Sequence, residues 1–174
     1  DPLNEYGKSK LNGDQEIISK LECYIILRVS WVFGDNGKNF VKSILKASLM
    51  QDNLQVVSDQ IGCPTSSKSI ARALIEILTL YLSGKEIKWG IYNYSGTPKT
   101  SWYDFSKQII TKASDLGVLS KCPIVTPVLS SQYKAQAVRP KYSVLNCQKI
   151  YKEFGIGQSS WDKDLDYFFE KRKQ

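Results

Sequence analysis

Apolar positions along the chain alternate between short continuous runs and stripes spaced for helices. Between residues 4 and 20, Tyr6, Leu11, Ile17 and Ile18 recur at loosely helical spacing among charged neighbours, which predicts a helix. Residues 23–29 form a continuous apolar run rich in strand formers, too short for a typical helix, and read as a buried strand. A loop bearing Gly34 and Gly37 follows, then a helix over 39–49, a short strand over 54–57, and a loop over 59–65 punctuated by Gly62 and Pro64. The next helix is expected over 66–82. A strand over 90–94 leads through Ser95-Gly96-Thr97-Pro98 to Ser101, whose hydroxyl can cap a helix with Asp104 three positions on; that helix should end near Gly117. Residues 121–142 contain Pro123, Pro127 and Pro140 and little periodicity, so they are expected to run extended or looping over the surface. Two short helices finish the chain: Asn146 is expected to cap the first and Gly155 to stop it, while Ser160 caps the second and residues 171–173 suit its negative end. This alternation predicts an α/β fold with a smaller, irregular C-terminal part.

Composition narrows the class. With 174 residues, 42% hydrophobic and 24% charged, the chain suits one folded unit with a real core and excludes intrinsic disorder, a fibrous repeat and two large modules. No apolar run approaches the roughly 20 residues of a bilayer span, and no signal-peptide pattern supports secretion. Cys23, Cys63, Cys122 and Cys147 are widely spaced without a C-x-x-C pair, which favours free thiols in the cytoplasm over a zinc site. The absence of histidine excludes Ser-His, Cys-His and His-metal chemistry from the chain's own residues. Net charge is +7, suiting an anionic partner; no groove-reading motif accompanies it, so nucleic acid is not expected.

Two constellations could carry chemistry. Tyr6 and Lys10 lie four apart on the predicted first helix and so share a face. A cation one turn from a phenol stabilises the phenolate, and such a tyrosine can hand a proton to a carbonyl oxygen as hydride reaches the carbon. Taken alone this spacing is common. Gly34-Asp35-Asn36-Gly37, between a strand and a helix with Asp59 further on, imitates a dinucleotide-binding turn, but Phe40 stands where that turn needs its third glycine. The chain therefore shows no phosphate-binding glycine loop of its own.

The neighbourhood of the Tyr/Lys pair is more specific. Tyr6-Gly7-Lys8-Ser9-Lys10, the run from Ile26 through Gly34, Asn39-Phe40, Val57 through Thr65, Ser101 through Phe105 and Ala137-Val138-Arg139-Pro140 stand in an order that resembles the extended short-chain dehydrogenase/reductases, in their dTDP-4-dehydrorhamnose reductase branch. The resemblance implies the C-terminal part of a Rossmann-type NAD(P)-binding domain joined to a smaller α/β domain for a nucleotide sugar. Residues 1–37 would be the remnant of the first and residues 38–174 mainly the second, with an interleaved boundary left open. It implies reduction of the sugar's C4 keto group by NADPH or NADH, with Tyr6 as proton donor and Lys10 favouring the phenolate and holding the nicotinamide ribose. Val29 and Ser30 would line the nicotinamide, and Trp31 would lie beside the deoxysugar. Asn39, Phe40, the loop containing Gln60, Gly62, Pro64 and Thr65, and Arg139 would grip the nucleotide and its diphosphate, which an arginine fork suits.

Each residue also has a plainer reading: Trp31 and Phe40 as core, Asp59 as an exposed loop carboxylate or a cap, Ser9 as bonded within its helix, Arg139 as a surface ion pair. The family's glycine-rich turn, its ribose-reading residue and its catalytic Ser or Thr all precede the Tyr/Lys helix. The chain is thus expected to be the C-terminal part of a longer reductase, binding cofactor poorly and turning nothing over by itself. Some relatives dimerise through carboxylates around magnesium; residues 66–69 offer no acid, which argues against a metal-linked dimer and leaves a homodimer open. Two other readings stand beside the reductase: a non-catalytic subunit similar to the regulatory subunit of methionine adenosyltransferase, and an epimerase or dehydratase acting on another nucleotide sugar.

Overall fold

The computed structural model describes residues 2–133 and 137–171. Its helices are α1 (Glu5–Lys20), α2 (Phe40–Met50), α3 (Ser67–Leu82), α4 (Trp102–Asp115), α5 (Gln148–Phe154) and α6 (Trp161–Glu170). The strands are β1 (Ile25–Val29), β2 (Val32–Phe33), β3 (Asn53–Val57), β4 (Ile61–Gly62), β5 (Thr65–Ser66), β6 (Gly90–Tyr94), β7 (Thr100–Ser101) and β8 (Ile124–Val128). No helix among the described residues is long and apolar enough to cross a membrane.

Local chemistry explains most helix starts. Asn4, Asn39, Ser66, Ser101 and Ser160 each accept an amide of the first turn through the side chain, satisfying a donor that would otherwise lack a partner. The Ser101 hydroxyl also donates to Asp104, at 2.6 Å. Gly155 ends α5 with a φ of 74°, the left-handed turn that glycine adopts without steric penalty. Asn146, in contrast, is not the cap of α5. Cys147 holds that position without a side-chain bond, and the Asn146 carboxamide accepts instead from the Gln148 amide at 2.9 Å.

Of the run over 121–142, expected to be extended or looping, residues 124–128 are extended and form the paired strand β8. This strand pairs in parallel with β3, in register from Asn53 opposite Ile124 to Val57 opposite Val128. Pro127 is tolerated because β8 has a neighbour on one side only, so the missing N–H breaks no second ladder. Arg172 and Lys173, expected at the end of α6, lie outside the described residues.

Two apolar cores share the chain. In one, Phe33, Val41, Ile44, Leu54, Val56, Phe105 and Ile109 pack with Trp161, Leu165 and Phe168, drawing on β2, α2, β3, α4 and α6. In the other, Ala73, Ile77, Tyr92, Tyr94, Ile150 and Phe154 of α3, β6 and α5 pack with Ile25 and Leu27 of β1. Strands β1 and β6 are parallel neighbours, Ile25 opposite Gly90 and Val29 opposite Tyr94. Helix α1 buries no residue. It is tied down by the Arg28–Asp14 ion pair at 2.7 Å and by the Asn4 carboxamide donating to the Val138 carbonyl at 2.9 Å.

Candidate functional site

Among the described residues the chain passes between the two cores at five places, and these crossings bond to one another. The Ser30 hydroxyl donates to the Cys63 carbonyl at 3.2 Å, and the Thr65 amide donates to the Trp31 carbonyl at 3.1 Å. The Gly96 amide donates to the Thr65 hydroxyl at 3.1 Å, and the Gln158 carboxamide donates to the carbonyls of Ser95 and Gly96. Gly96 has no room for a side chain, since a Cβ there would meet the Pro64 carbonyl oxygen at 2.2 Å. Burial pushes the Cys63 thiol up from its ordinary value, so it stays protonated within this seam.

Trp31 stands at the first crossing. Its φ of 48° is left-handed, and its indole stacks on Trp102 with ring centroids 3.5 Å apart and planes 6° from parallel. Phe40 tilts against Trp102 at 4.4 Å. Phe40 and Trp102 line a cavity of about 670 Å³ that also includes Gln60, Ser130, Tyr133 and Arg139 in its walls. Residues of α2 and β3 line it, and Ser130 and Tyr133 add a rim from the segment after β8. That rim is latched by Asp59, whose carboxylate accepts the Ser130 amide at 2.7 Å and the Ser130 hydroxyl at 2.8 Å. The hydroxyl bond above all holds the Asp59 carboxyl below its ordinary value.

The sequence-derived residues thus divide. Phe40, Gln60 and Arg139 line one cavity, and Trp31 reaches it through Trp102. Asn39 lies behind the wall: its carboxamide caps α2 at the Lys42 amide and donates to the Gly34 carbonyl. Gly62 lies under the Trp31 indole, and Pro64 and Thr65 are fully buried in the seam. Val29 is exposed at the carboxyl end of β1, and Ser30 follows it. Tyr6 is 73% exposed on α1, with the Lys10 ammonium 6.0 Å from its ring centroid, and Ser9 bonds within the helix to the Tyr6 carbonyl. The Gly34–Gly37 turn is occupied by packing. Its Asp35 and Gly37 carbonyls accept from Lys42, and Gly34 abuts Ser67. Among the described residues no group of three or more Asp, Glu, Cys or His could hold a metal ion.

Sequence reasoning gave no site role to Trp102, which it met only within the Ser101–Phe105 block, nor to Ser130 or Tyr133. Trp102 was visible as an aromatic directly after the capping Ser101, but its stacking partner is remote in sequence.

Comparison with known proteins bears on this arrangement. A dTDP-4-dehydrorhamnose reductase of Aggregatibacter actinomycetemcomitans is 43% identical over 164 residues, 94% of this chain and 56% of that protein. Among solved structures, a dTDP-4-dehydrorhamnose reductase ortholog of Clostridium acetobutylicum superposes with a TM-score of 0.87 at 30% identity, covering 100% of this chain and 57% of that one. The dTDP-4-dehydrorhamnose reductase of Bacillus anthracis, solved in complex with NADP, gives 0.85 at 32% identity, covering 98% and 57%. The fold is accordingly the α/β fold of these Rossmann-type reductases, and the chain spans about half the length of the relatives it matches. The RmlD substrate binding domain profile runs from residue 1 to residue 173, across both cores, the seam and the cavity, and the chain belongs to that family.

Proposed function

We propose that this chain is the substrate-binding part of an NAD(P)H-dependent dTDP-4-dehydrorhamnose reductase of the cytoplasm, reducing the C4 keto group of a dTDP-linked deoxysugar to complete dTDP-L-rhamnose. The observation that carries the reading is the cavity at the Trp31–Trp102 stack, which has aromatic faces for a base and Arg139 at its wall for a diphosphate. In this reading Phe40, Gln60 and Arg139 grip the nucleotide, and Trp31 borders the deoxysugar. Asn39, Gly62, Pro64 and Thr65 act from behind: Asn39 fixes the start of α2 and with it Phe40, Gly62 and Thr65 fix Trp31, and Pro64 packs the seam against Gly96.

The residues present fit one end of a nicotinamide cofactor. Tyr6 and Lys10 present a hydroxyl and an ammonium on one exposed face of α1, and Val29 and Ser30 end a parallel strand, where α/β sheets take their ligands. When bound, the reduced nicotinamide supplies the hydride. Tyr6 supplies the proton to the C4 oxygen, and Lys10 holds the ribose and balances the charge left on the phenol oxygen. The turn from Gly34 to Gly37 does not cradle the cofactor's diphosphate, since its carbonyls and space are already used. Residues 1–37 then belong to the nucleotide-binding half and 38–174 mainly to the sugar half, with α3, β6 and α5 returning to pack on β1.

The test is reconstitution. Isothermal titration of NADPH into the chain alone should give no detectable heat. Joined to a glycine-rich nucleotide-binding half, it should oxidise NADPH only when dTDP-4-dehydrorhamnose is added, and Tyr6→Phe should abolish that turnover while nucleotide binding persists. Full turnover by Tyr6→Phe would overturn the assignment. Interconversion of sugars without net NADPH consumption would favour an epimerase.

A further inference from the structure

Trp31 combines features that a free tryptophan avoids. Its backbone is left-handed, a region that bulky residues rarely enter. Its ring lies flat on Trp102 with centroids 3.5 Å apart, whereas unconstrained aromatic pairs offset or tilt so that their negative faces do not oppose. The ring also sits so close to Gly62 that a Cβ there would come within 2.3 Å of Cε2 and 2.5 Å of Nε1. Apolar packing has no direction and would not select this pose. A hydrogen bond does have direction, and Trp31 Nε1 donates one to the Ser143 hydroxyl oxygen at 3.1 Å.

That oxygen is itself oriented. The Ser143 hydroxyl donates to the Ile61 carbonyl at 3.2 Å, and the Ser143 amide donates to the same carbonyl at 2.9 Å. With its single proton committed there, the hydroxyl can only accept from the indole. We infer that Ser143 is a positioning residue: it holds the Trp31 indole against Trp102 and thereby sets the wall beside the reacting sugar, a role that rests on the reductase reading above. Segment 141–143 is anchored to β4, since the Ile61 amide donates to the Lys141 carbonyl at 2.8 Å. Ser143 therefore reports the position of β4 to the ring. Trp102 carries the same pose into the cavity wall.

Two spectroscopic readouts on the chain itself test the inference without reference to turnover. Indoles stacked this closely produce an exciton couplet in circular dichroism, and the Trp31 Nε1–H resonance, assigned with Trp31→Phe, should be protected from solvent exchange. Ser143→Ala should collapse the couplet and speed that exchange about tenfold, the scale of one lost hydrogen bond, while Ser143→Thr retains both. Should Ser143→Ala not fold, Ser143→Cys keeps the size with a poor acceptor and should show the same losses in part. A wild-type chain without couplet or protection, or a folded Ser143→Ala or Ser143→Cys chain that keeps both, overturns the inference. In the reconstituted reductase, Ser143→Ala should lower kcat about tenfold with the KM for NADPH unchanged, and Ser143→Thr should restore it. An unchanged kcat overturns the catalytic side of the inference. A wild-type reconstituted enzyme that reduces no sugar overturns the reductase reading instead, and the couplet still decides the role of Ser143 toward Trp31.

Discussion

Gly62→Ala tests whether the seam is as tight as its geometry indicates. Gly62 does not have a left-handed φ, so alanine can adopt its backbone and the added methyl is the whole perturbation. That methyl would lie 2.3–2.6 Å from three atoms of the Trp31 indole. The ring has little room to yield, because Trp102 already stacks at 3.5 Å and Ser143 tethers Nε1. Overpacking of this kind costs about 1–3 kcal/mol. For a chain of this size ~2 kcal/mol corresponds to a Tm drop of roughly 4–8 °C. Gly34→Ala is the milder control: its Cβ would meet Ser67 Oγ at 2.2 Å, an atom that can rotate away, and would then press only on Ser67 Cβ at 3.1 Å. Thermal melts followed by circular dichroism should rank wild type above Gly34→Ala and Gly34→Ala above Gly62→Ala, with the Trp31–Trp102 couplet altered only in Gly62→Ala. A Gly62→Ala chain that melts with wild type and keeps the couplet would refute the argument that Trp31 is pinned from several sides.

Three further outcomes follow from single sites. Gly13→Ala, inside α1 with nothing within 4 Å of the new methyl, should stabilise that helix by about 0.5–1 kcal/mol, seen as slower amide exchange across α1; unchanged exchange would contradict it. Asp59 has its folded value depressed by the Ser130 bonds, so the latch is fully present above the ordinary carboxylate range and is lost as pH falls through the lowered folded value. The Ser130 amide resonance should follow that titration, and the same step in Asp59→Asn would contradict the assignment. Lys112→Ala removes the cation that α4 places between Asp162 and Asp166 of α6, leaving two half-exposed carboxylates one turn apart. Solvent screening limits the loss to roughly 1 kcal/mol in urea denaturation, shrinking with added salt; a salt-independent loss would point to packing instead.

What the sequence made legible was local. Caps at Asn39, Ser66, Ser101 and Ser160 depend on a side chain and an amide three positions away, and these are the helix starts that the pattern located. Strand β8 was hidden because its outward positions are irregular and Pro127 interrupts it; the strand exists through pairing with β3, far away in sequence. The two-residue strands β2, β4, β5 and β7 carry no pattern at all, being products of the crossings themselves. The same division runs through the site. Phe40, Gln60 and Arg139 were picked out by motif and line one cavity, whereas Trp102, though inside the Ser101–Phe105 block, was given no role because its stacking partner Trp31 is far away in sequence. Asp59, read as an exposed loop carboxylate or a cap, does lie in the loop after β3, but it is half-buried and bonded to Ser130, a partner hidden beyond the unrecognised β8.

The crossings explain why the block from Val57 through Thr65, one of those that carry the resemblance, is so heavily constrained. Residues 59–65 leave β3 in one core and enter α3 in the other, so nearly every residue there answers to a constraint from a different part of the chain. Asp59 latches the cavity rim, Gln60 lines the cavity, and Ile61 anchors segment 141–143. Gly62 makes room for the Trp31 ring, Pro64 sits against Gly96, and Thr65 receives the Gly96 amide. Of these residues only Gln60 lines the cavity; the others shape it from behind. A motif assembled in this way behaves in mutagenesis like a binding site, since each change reaches the cavity wall through Trp31 or the seam. Binding contacts and positioning contacts then separate only by readout. Removing Gln60 or Arg139 should weaken nucleotide affinity and leave the Trp31–Trp102 couplet intact, whereas Gly62→Ala should disturb the couplet even with no nucleotide present.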